Sequence, residues 1–439
     1  MREMKDSGVE WIGEIPRHWK LVRLKNLIES REGGAWGEDS TGSVEDMVCL
    51  RIADFDYQKY RFKTQGDLTI RHYKRNVIER LLLSVGDILV EKSGGGEKTP
   101  VGRAVIFDKD FPALYANFMD RLRCKKDVNP YWLLYNWVNL YTNNYTRPYI
   151  KQTTGIQNLD ISTLLSSQFA AIPPDYEQNT ILNAISEKTE RVNTLIQNVQ
   201  TQIEKLKAYK QSLITEVVTR GLNPTVPMKD SGVDWIGEIP EHWDVVKLKY
   251  ITRISRGLFN HRPRNDSRLY DGEYPFIQTG DVARSDKYIT TYSQTLNELG
   301  IKVSKVFPKG TITMTIAANV GDVAILNFNA YFPDSVVGFT VKDGYDENYV
   351  YYLFKALKET FVRASIANTQ LNLNIERSKE IRAAISYDTQ EQKRIAFHLD
   401  KKCAQIDRLI AIKQAKIEKL EQYKRSLIYE YVTGKKEVV

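Results

Sequence analysis

Catalysis by a chain of this kind would need a phosphate-cradling loop, a metal set or an activated nucleophile, and each has a recognisable spacing. The stretch Ser-Gly-Gly-Gly-Glu-Lys-Thr-Pro-Val-Gly, from Ser93 to Gly102, is the nearest approach to a phosphate loop. Such a loop needs Gly-Lys followed by Ser or Thr, and here Lys98 follows Glu97, so a glycine turn between strands is the simpler reading. Asn129-Pro130-Tyr131-Trp132 comes near the Asn-Pro-Pro-aromatic loop of adenine methyltransferases but lacks a proline, and no glycine-rich S-adenosylmethionine loop precedes it. A nuclease pattern of Asp followed by Glu-x-Lys is missed in spacing by Asp87, Glu91 and Lys92. His18, His72, His242, His261 and His398 have no zinc-binding spacing, and Cys49, Cys124 and Cys403 form no Cys-x-x-Cys pair. No serine elbow is present. The chain therefore shows no catalytic set and no cofactor motif.

What it does show is duplication. The segments 4–25 (MKDSGVEWIGEIPRHWKLVRLK) and 228–249 (MKDSGVDWIGEIPEHWDVVKLK) are identical at 17 of 22 positions. A second match aligns 177–219 on 391–433 without gaps, with 19 of 43 positions identical. The order is motif, block, helix, then the same again with a somewhat shorter block. His18 and His242 belong to the repeated motif, where packing beside Trp19 and Trp243 explains them better than catalysis performed twice.

The repeated C-terminal segments predict long helices. Ile185, Val192, Val199, Leu206 and Leu213 recur at every seventh position, with Thr189, Ile196, Ile203, Lys210 and Val217 at the fourth position after each. In the second copy Leu399, Ile406, Lys413, Leu420 and Leu427 form one row, and Cys403, Ile410, Ile417, Lys424 and Tyr431 the other. Two apolar rows at heptad spacing are the seam of a coiled coil, and each copy is the obvious partner of the other. Lys210, Lys413 and Lys424 interrupt that seam, and two readings stay open: they snorkel, or they mark where the helices meet another protein.

The intervening blocks read as α+β. GDILVEKSGG from Gly86 and KGTITMTIAANVGDVAILNF from Lys309 carry β-branched runs broken by glycine, while PYWLLYNWVNLYTNNY from Pro130 and ENYVYYLFKALKETFVRAS from Glu347 carry aromatic faces at helical spacing. Leu50–Phe55 and Ile277–Val282 match one another, each read as a short strand ending in Asp, Asp54 and Asp281. Polar, glycine-flanked loops stand at matching places. The first block offers Arg51, then Lys92, Ser93, Lys98 and Thr99, then Lys151, Gln152, Thr153, Thr154 and Gln157. The second offers Arg256, Asn260 and Arg262, then Gln278 and Thr279, then Thr315 and Asn319, then Asn368, Thr369 and Gln370. Gln and Asn can take adenine by two hydrogen bonds and Arg or Lys can take guanine, so these residues are the candidate DNA contacts. Similar frames with dissimilar loops suit the reading of two different sequences.

Composition sets the class. The chain has 439 residues with 63 basic against 55 acidic side chains, a net charge of +8 that permits a nucleic-acid partner without requiring one. Hydrophobic residues at 42% and charged residues at 27% exclude wholesale disorder. Separated cysteines, the lack of an apolar N-terminal stretch and the absence of any apolar run of about 18 residues point to a reducing, cytoplasmic setting without a membrane span.

The duplicated WIGEIPxHW motif (Trp11 to Trp19, Trp235 to Trp243), the paired blocks and the two helices sharing IEKL-x2-YK-x-SLI resemble the DNA specificity subunit, HsdS, of type I restriction-modification systems. The resemblance covers nearly the whole chain, but its loops carry no family consensus. It implies an α+β pseudo-twofold molecule. Residues 1–174 and 223–387 would be two similar target-recognition domains, and residues 175–222 and 388–439 two long antiparallel coiled-coil helices between them. Each domain would read one half of a split, asymmetric double-stranded DNA site. The helices would set the gap and dock two methyltransferase (modification) subunits, for which Lys210, Lys413, Lys424, Tyr209 and Tyr423 are the candidate contacts. Restriction subunits would complete the complex. S-adenosylmethionine, ATP and magnesium would belong to those partners, and this chain would be noncatalytic. Two readings from other classes remain beside it: a self-contained DNA-modifying enzyme with an unrecognised site, and a structural coiled-coil interaction protein.

Overall fold

The computed structural model describes residues 2–63, 66–152, 155–316, 320–367, 371–373 and 375–438. The chain divides into two compact units, one of residues 1–200 with 414–439 and one of residues 201–413.

In the first unit a six-stranded sheet runs in the order Ile28–Gly33, Met119–Cys124, Ile88–Glu91, Ala104–Ile106, Arg61–Phe62, Phe55–Asp56. The helix Pro130–Thr142 covers one face with Trp132, Leu133, Trp137 and Leu140, all fully buried. Its start is written in the sequence: Asn129 accepts a hydrogen bond from the Tyr131 amide, and Pro130 takes the first helical position, where its missing N–H costs nothing. The opposite face carries a second core around Leu89, Val105, Phe107, Leu114 and Met119.

The second unit repeats this frame. Thr252–Arg256, Val336–Val341, Ile312–Thr315, Val323–Leu326 and Tyr288–Ile289 make its main sheet, and Glu347–Ala356 is its covering helix, capped by Asp346. Register proves the equivalence. Ile88 faces Leu122 in the first unit as Ile312 faces Phe339 in the second. Gly34 and Gly257, one residue past the first sheet strand of each unit, sit where a Cβ would strike backbone carbonyls, Tyr115 O and Ala116 O in one and Phe332 O and Pro333 O in the other. Only glycine fits either place.

The helices are Asp175–Arg220, of 46 residues, and Thr389–Val432, of 44 residues, each therefore roughly 65–70 Å long at 1.5 Å per residue. The heptad rows are buried or half-buried throughout. Within the first unit Lys188 meets Tyr431 and Asn193 meets Lys424; within the second Gln202 meets Lys413 and Lys210 meets Asp407. Rising numbers on one helix pair with falling numbers on the other, so the strips are antiparallel in each unit. Among the described residues no helix is long and apolar enough to cross a membrane.

One joint is built twice. Trp19 is fully buried and its indole N–H donates to Glu177 Oε2 at 3.0 Å, while His18 Nε2 lies 2.7 Å from the same oxygen and Arg2 pairs with Oε1. In the second unit Trp243 donates to Glu391 Oε2 at 3.0 Å, His242 Nε2 lies at 3.2 Å, and Ser386 Oγ donates in place of the arginine. Both glutamates stand in the first turn of a long helix, where the dipole favours a carboxylate. The strand after each motif then pairs with the strand that leads into that helix, Lys20–Arg23 with Phe169–Ile172 and Asp244–Lys247 with Arg382–Ile385. The motif histidines thus lie half-exposed on the glutamates that the tryptophans hold, a structural place in both units.

Glu391→Ala leaves a buried indole donor unpaired and should destabilise the second unit by about 1–3 kcal/mol. Faster amide hydrogen exchange in Asp244–Lys247 and Arg382–Ile385 would report it. His242→Ala, removing a half-exposed ring, should change stability by less than about 0.5 kcal/mol; equal effects of the two would show that the indole bond does not hold the joint.

Candidate nucleic-acid interface

In the first unit the two polar loops become one surface. Ser93–Gly94 pairs with Gln157–Leu159, which pairs with Ile150–Gln152, making a three-stranded sheet at the end of the main one. Ser93 Oγ donates to Asn158 Oδ1 at 2.6 Å. Gln157 is buried, its Oε1 accepting the Val101 amide at 3.1 Å, so it braces the turn from within. Lys98, Thr99, Lys151 and Gln152 are exposed, and Lys151 pairs with Asp160 at 3.0 Å. The Gly96 amide donates to the Thr99 carbonyl, which closes the turn.

Two cations stand under these loops on one carboxylate. Asp120 is buried; Lys92 Nζ lies 2.9 Å from its Oδ1, and Arg31 Nε donates to Oδ2 at 2.6 Å. Nearby, buried Glu91 holds Arg103 at 2.7 Å and accepts the Tyr57 hydroxyl at 2.6 Å, and buried Asp87 holds Arg123 at 2.6 Å. Sequence inspection passed over Arg31 and Asp120. The signal available for Asp120 was an acid followed by two arginines inside a short, otherwise apolar strand, Met-Asp-Arg-Leu-Arg-Cys from Met119.

The second unit places its candidates differently. Arg256 is exposed and its Nε donates to the Asp334 carbonyl at 2.6 Å; Asn260 is exposed nearby. Arg262 donates to the carbonyls of Phe259 and His261, bracing its own loop, as Asp266 does by accepting from Arg268 and meeting His261. Thr315 is fully buried in its strand, in register with Glu91 of the first unit and one residue before the position of Lys92. The rough correspondence of Thr315 with the exposed loop residues of the first block therefore shifts by at least one residue, because the strand continues through it. Thr153, Thr154, Asn319, Asn368, Thr369 and Gln370 lie outside the described residues.

Asp54 and Asp281 do share a role, though they do not end strands. Each accepts the backbone amide of the third residue before it at 2.8 Å, that of Arg51 in one unit and Gln278 in the other, inside a short helical turn. The short carboxylate caps the turn, which ends extended pairing at Leu50 in the first unit. Arg51 also turns its guanidinium onto Asp54, whereas Thr279 opens the turn beside Gln278.

The seam lysines are spent within their units. Lys424 and Lys210 occupy equivalent places in the two repeats, and so do their partners Asn193 and Asp407. Lys424 Nζ donates to Asn193 Oδ1 at 2.9 Å and to the Gln58 carbonyl, which also accepts from Asn193 Nδ2 at 3.0 Å. Lys210 donates to Asp407 at 2.6 Å, and Lys413 to Gln202 Oε1 at 2.6 Å. Tyr209 and Tyr423, by contrast, are half exposed, as are Leu409 and Leu195.

Among the described residues no group of three or more His, Cys, Asp or Glu side chains could hold a metal ion. The cysteines are unpaired, and burial pushes the Cys124 thiol up to about 12, which leaves it protonated and unreactive.

Burial lowers the Lys424 pKa to about 8, against the opposing pull of Asp56 on the globular part, Glu421 on its own helix and Glu190 on the facing one. The folded state thus releases this proton before the unfolded state does, and stability gains with rising pH between about 8 and 10. Relative to Lys424→Met, the wild-type chain should gain about 2 kcal/mol across that window, read from urea unfolding of the first unit at each pH. Parallel pH profiles of the two would contradict the assignment.

A family model for the type I restriction modification DNA specificity domain matches residues 240–422. The chain is 26% identical over 432 residues to the putative type I restriction enzyme MjaX specificity subunit of Methanocaldococcus jannaschii, covering 97% of this chain and 95% of that protein. It is 32% identical over 194 residues to the type I restriction enzyme MjaIX specificity subunit of the same organism, covering 43% of each. Its fold matches a solved chain described under "structural basis underlying complex assembly and conformational transition of the type I R-M system". That match has a TM-score of 0.67 at 15% identity and covers 95% of this chain and 98% of the other.

Proposed function

As the chain belongs to the specificity-subunit family of type I restriction-modification systems, we propose that its two units each read one half of a bipartite, asymmetric double-stranded DNA site. The observation that carries this is a shared frame with unshared polar groups. Strand register and Gly34/Gly257 superpose the two sheets, yet Gly33 is matched by Arg256, Glu91 by Thr315 and Asp120 by Val337. A frame kept twice for packing, with different donors at its end, suits two half-sites of different sequence. Lys92, Ser93, Lys98, Thr99, Lys151 and Gln152 serve one half; Arg256, Asn260, Gln278 and Thr279 serve the other. Base edges specify, and the small positive charge of the chain with that of its partners supplies phosphate attraction.

The two long helices set the unspecified gap and dock two methyltransferase subunits. Leu195 and Tyr423 each precede a seam residue in the first unit, and their repeat equivalents Leu409 and Tyr209 do so in the second. Exposed apolar side chains flanking the same seam twice suit two copies of one partner. S-adenosylmethionine, and ATP with magnesium, act on the methyltransferase and restriction subunits; this chain supplies recognition and no catalytic group.

Methylated adenines mapped in DNA from cells co-expressing this chain with its methyltransferase partner should define a new split motif, two short specified halves around a fixed gap. An assembled complex that writes no such motif would refute the reading. The double variant Tyr209→Glu/Tyr423→Glu should weaken methyltransferase binding by roughly 10-fold or more while leaving the unfolding transitions of the chain in place, since both side chains are half exposed. Unchanged affinity in pull-down and calorimetry would remove the helices' outer face from the docking assignment.

A further inference from the structure

The first unit holds one arginine in a manner that neither charge balance nor packing requires. Arg31 lies on Ile28–Gly33, facing Leu122 across the sheet, and is about one-third exposed. Its Nε is fixed by Asp120 and one terminal nitrogen by Ser162 Oγ, on the short helix Ile161–Ser167 that follows the second polar loop. That leaves the outer edge of the guanidinium for a ligand. Beside it, Lys92 reaches the other oxygen of Asp120 across Gly33, where a Cβ would lie only 2.8 Å from Lys92 Nζ. Asp120 is thus a buried carboxylate whose two oxygens set two cations side by side, next to Ser93, Asn158 and Lys151.

A lysine or arginine that only neutralises phosphate needs no such bracing, because phosphate attraction tolerates a mobile side chain. A guanidinium locked at two of its three nitrogens suits a planar, two-acceptor target, and the O6/N7 edge of guanine is the base edge with that pattern. The second unit lacks the whole device: its matching residues are Ile254 and Val337, and its cation, Arg256, stands two residues further along the strand on the Asp334 carbonyl. We propose that Arg31 reads one guanine in the half-site of the first unit, with Asp120 as the positioning residue that fixes its fork. The inference rests on the DNA-reading function proposed above and names the base and the residue within it.

The test is the methylation motif written by the assembled complex carrying Arg31→Lys or Asp120→Asn. Arg31→Lys keeps a cation beside Asp120, so the unit stays folded, but removes the fork. It should relax one guanine position of one half-site, narrowing discrimination there by roughly 5- to 150-fold, and leave the other half-site and the gap unchanged. Asp120→Asn should relax the same position, more weakly. An Arg31→Lys motif identical to wild type, or a uniform decline at all sites with every base preference retained, would overturn the assignment. A wild-type complex that writes no split motif would instead refute the reading of the chain as a DNA specificity subunit, which is a separate outcome.

Discussion

Each unit hangs on a buried indole N–H that has to find an acceptor. A fully enclosed tryptophan can donate once, and leaving that donor unpaired costs more than the bond returns when made. Trp19 and Trp243 resolve this with a carboxylate from the first turn of a long helix, Glu177 and Glu391. The contact ties three things that sequence keeps far apart: a motif ahead of the sheet, the strand pair that closes the sheet, and the start of the helix. With that joint made, the globular part and the helix are held together, and the polar loops project from a fixed base.

The two units then differ where packing does not forbid it. Asp87, Glu91 and Asp120 are buried acids of the first unit, and the register places Thr311, Thr315 and Val337 at their positions in the second. Buried ion pairs seldom add net stability over apolar or hydroxyl replacements, because desolvation offsets the attraction. Their retention in one unit makes sense as orientation: each acid fixes an arginine, and one fixes a lysine as well. In the second unit Arg256 and Arg262 are held by the backbone carbonyls of Asp334 and Phe259, and Arg284 by the buried carboxylate of Asp281.

Much of this architecture is legible in the sequence because it is written twice. The helices and their seam follow from heptad rows, and the structural nature of His18 and His242 from their recurrence. The contacts that build the candidate site are not legible, for they join residues far apart in the chain: Arg31 with Asp120, Ser93 with Asn158, Lys424 with Gln58. No local pattern encodes such a meeting. The partners of the seam lysines are not legible either, since the facing helix supplies Asn193, Asp407 and Gln202. Asp54 and Asp281 look like strand ends because the turn they cap is too short to show helical periodicity.

The composition of the first unit has a consequence for synthesis. Its core includes Leu427, Ile428, Tyr431 and Val432 from the far end of the second long helix, packed with Ile12, Ile15 and Trp19, and Gly434 comes against Pro16 and Trp19. The second unit is contiguous, from 201 to 413. Domains usually complete in the order in which they leave the ribosome. Here the order inverts. The globular part of the first unit is synthesised just before the second unit begins, yet its last apolar partners arrive roughly 10–50 s later at ordinary elongation rates. During that interval the second unit can close, while the first still lacks Leu427, Ile428, Tyr431 and Val432. The side of the Trp19 core that these four residues cover is therefore left to the last stage of translation.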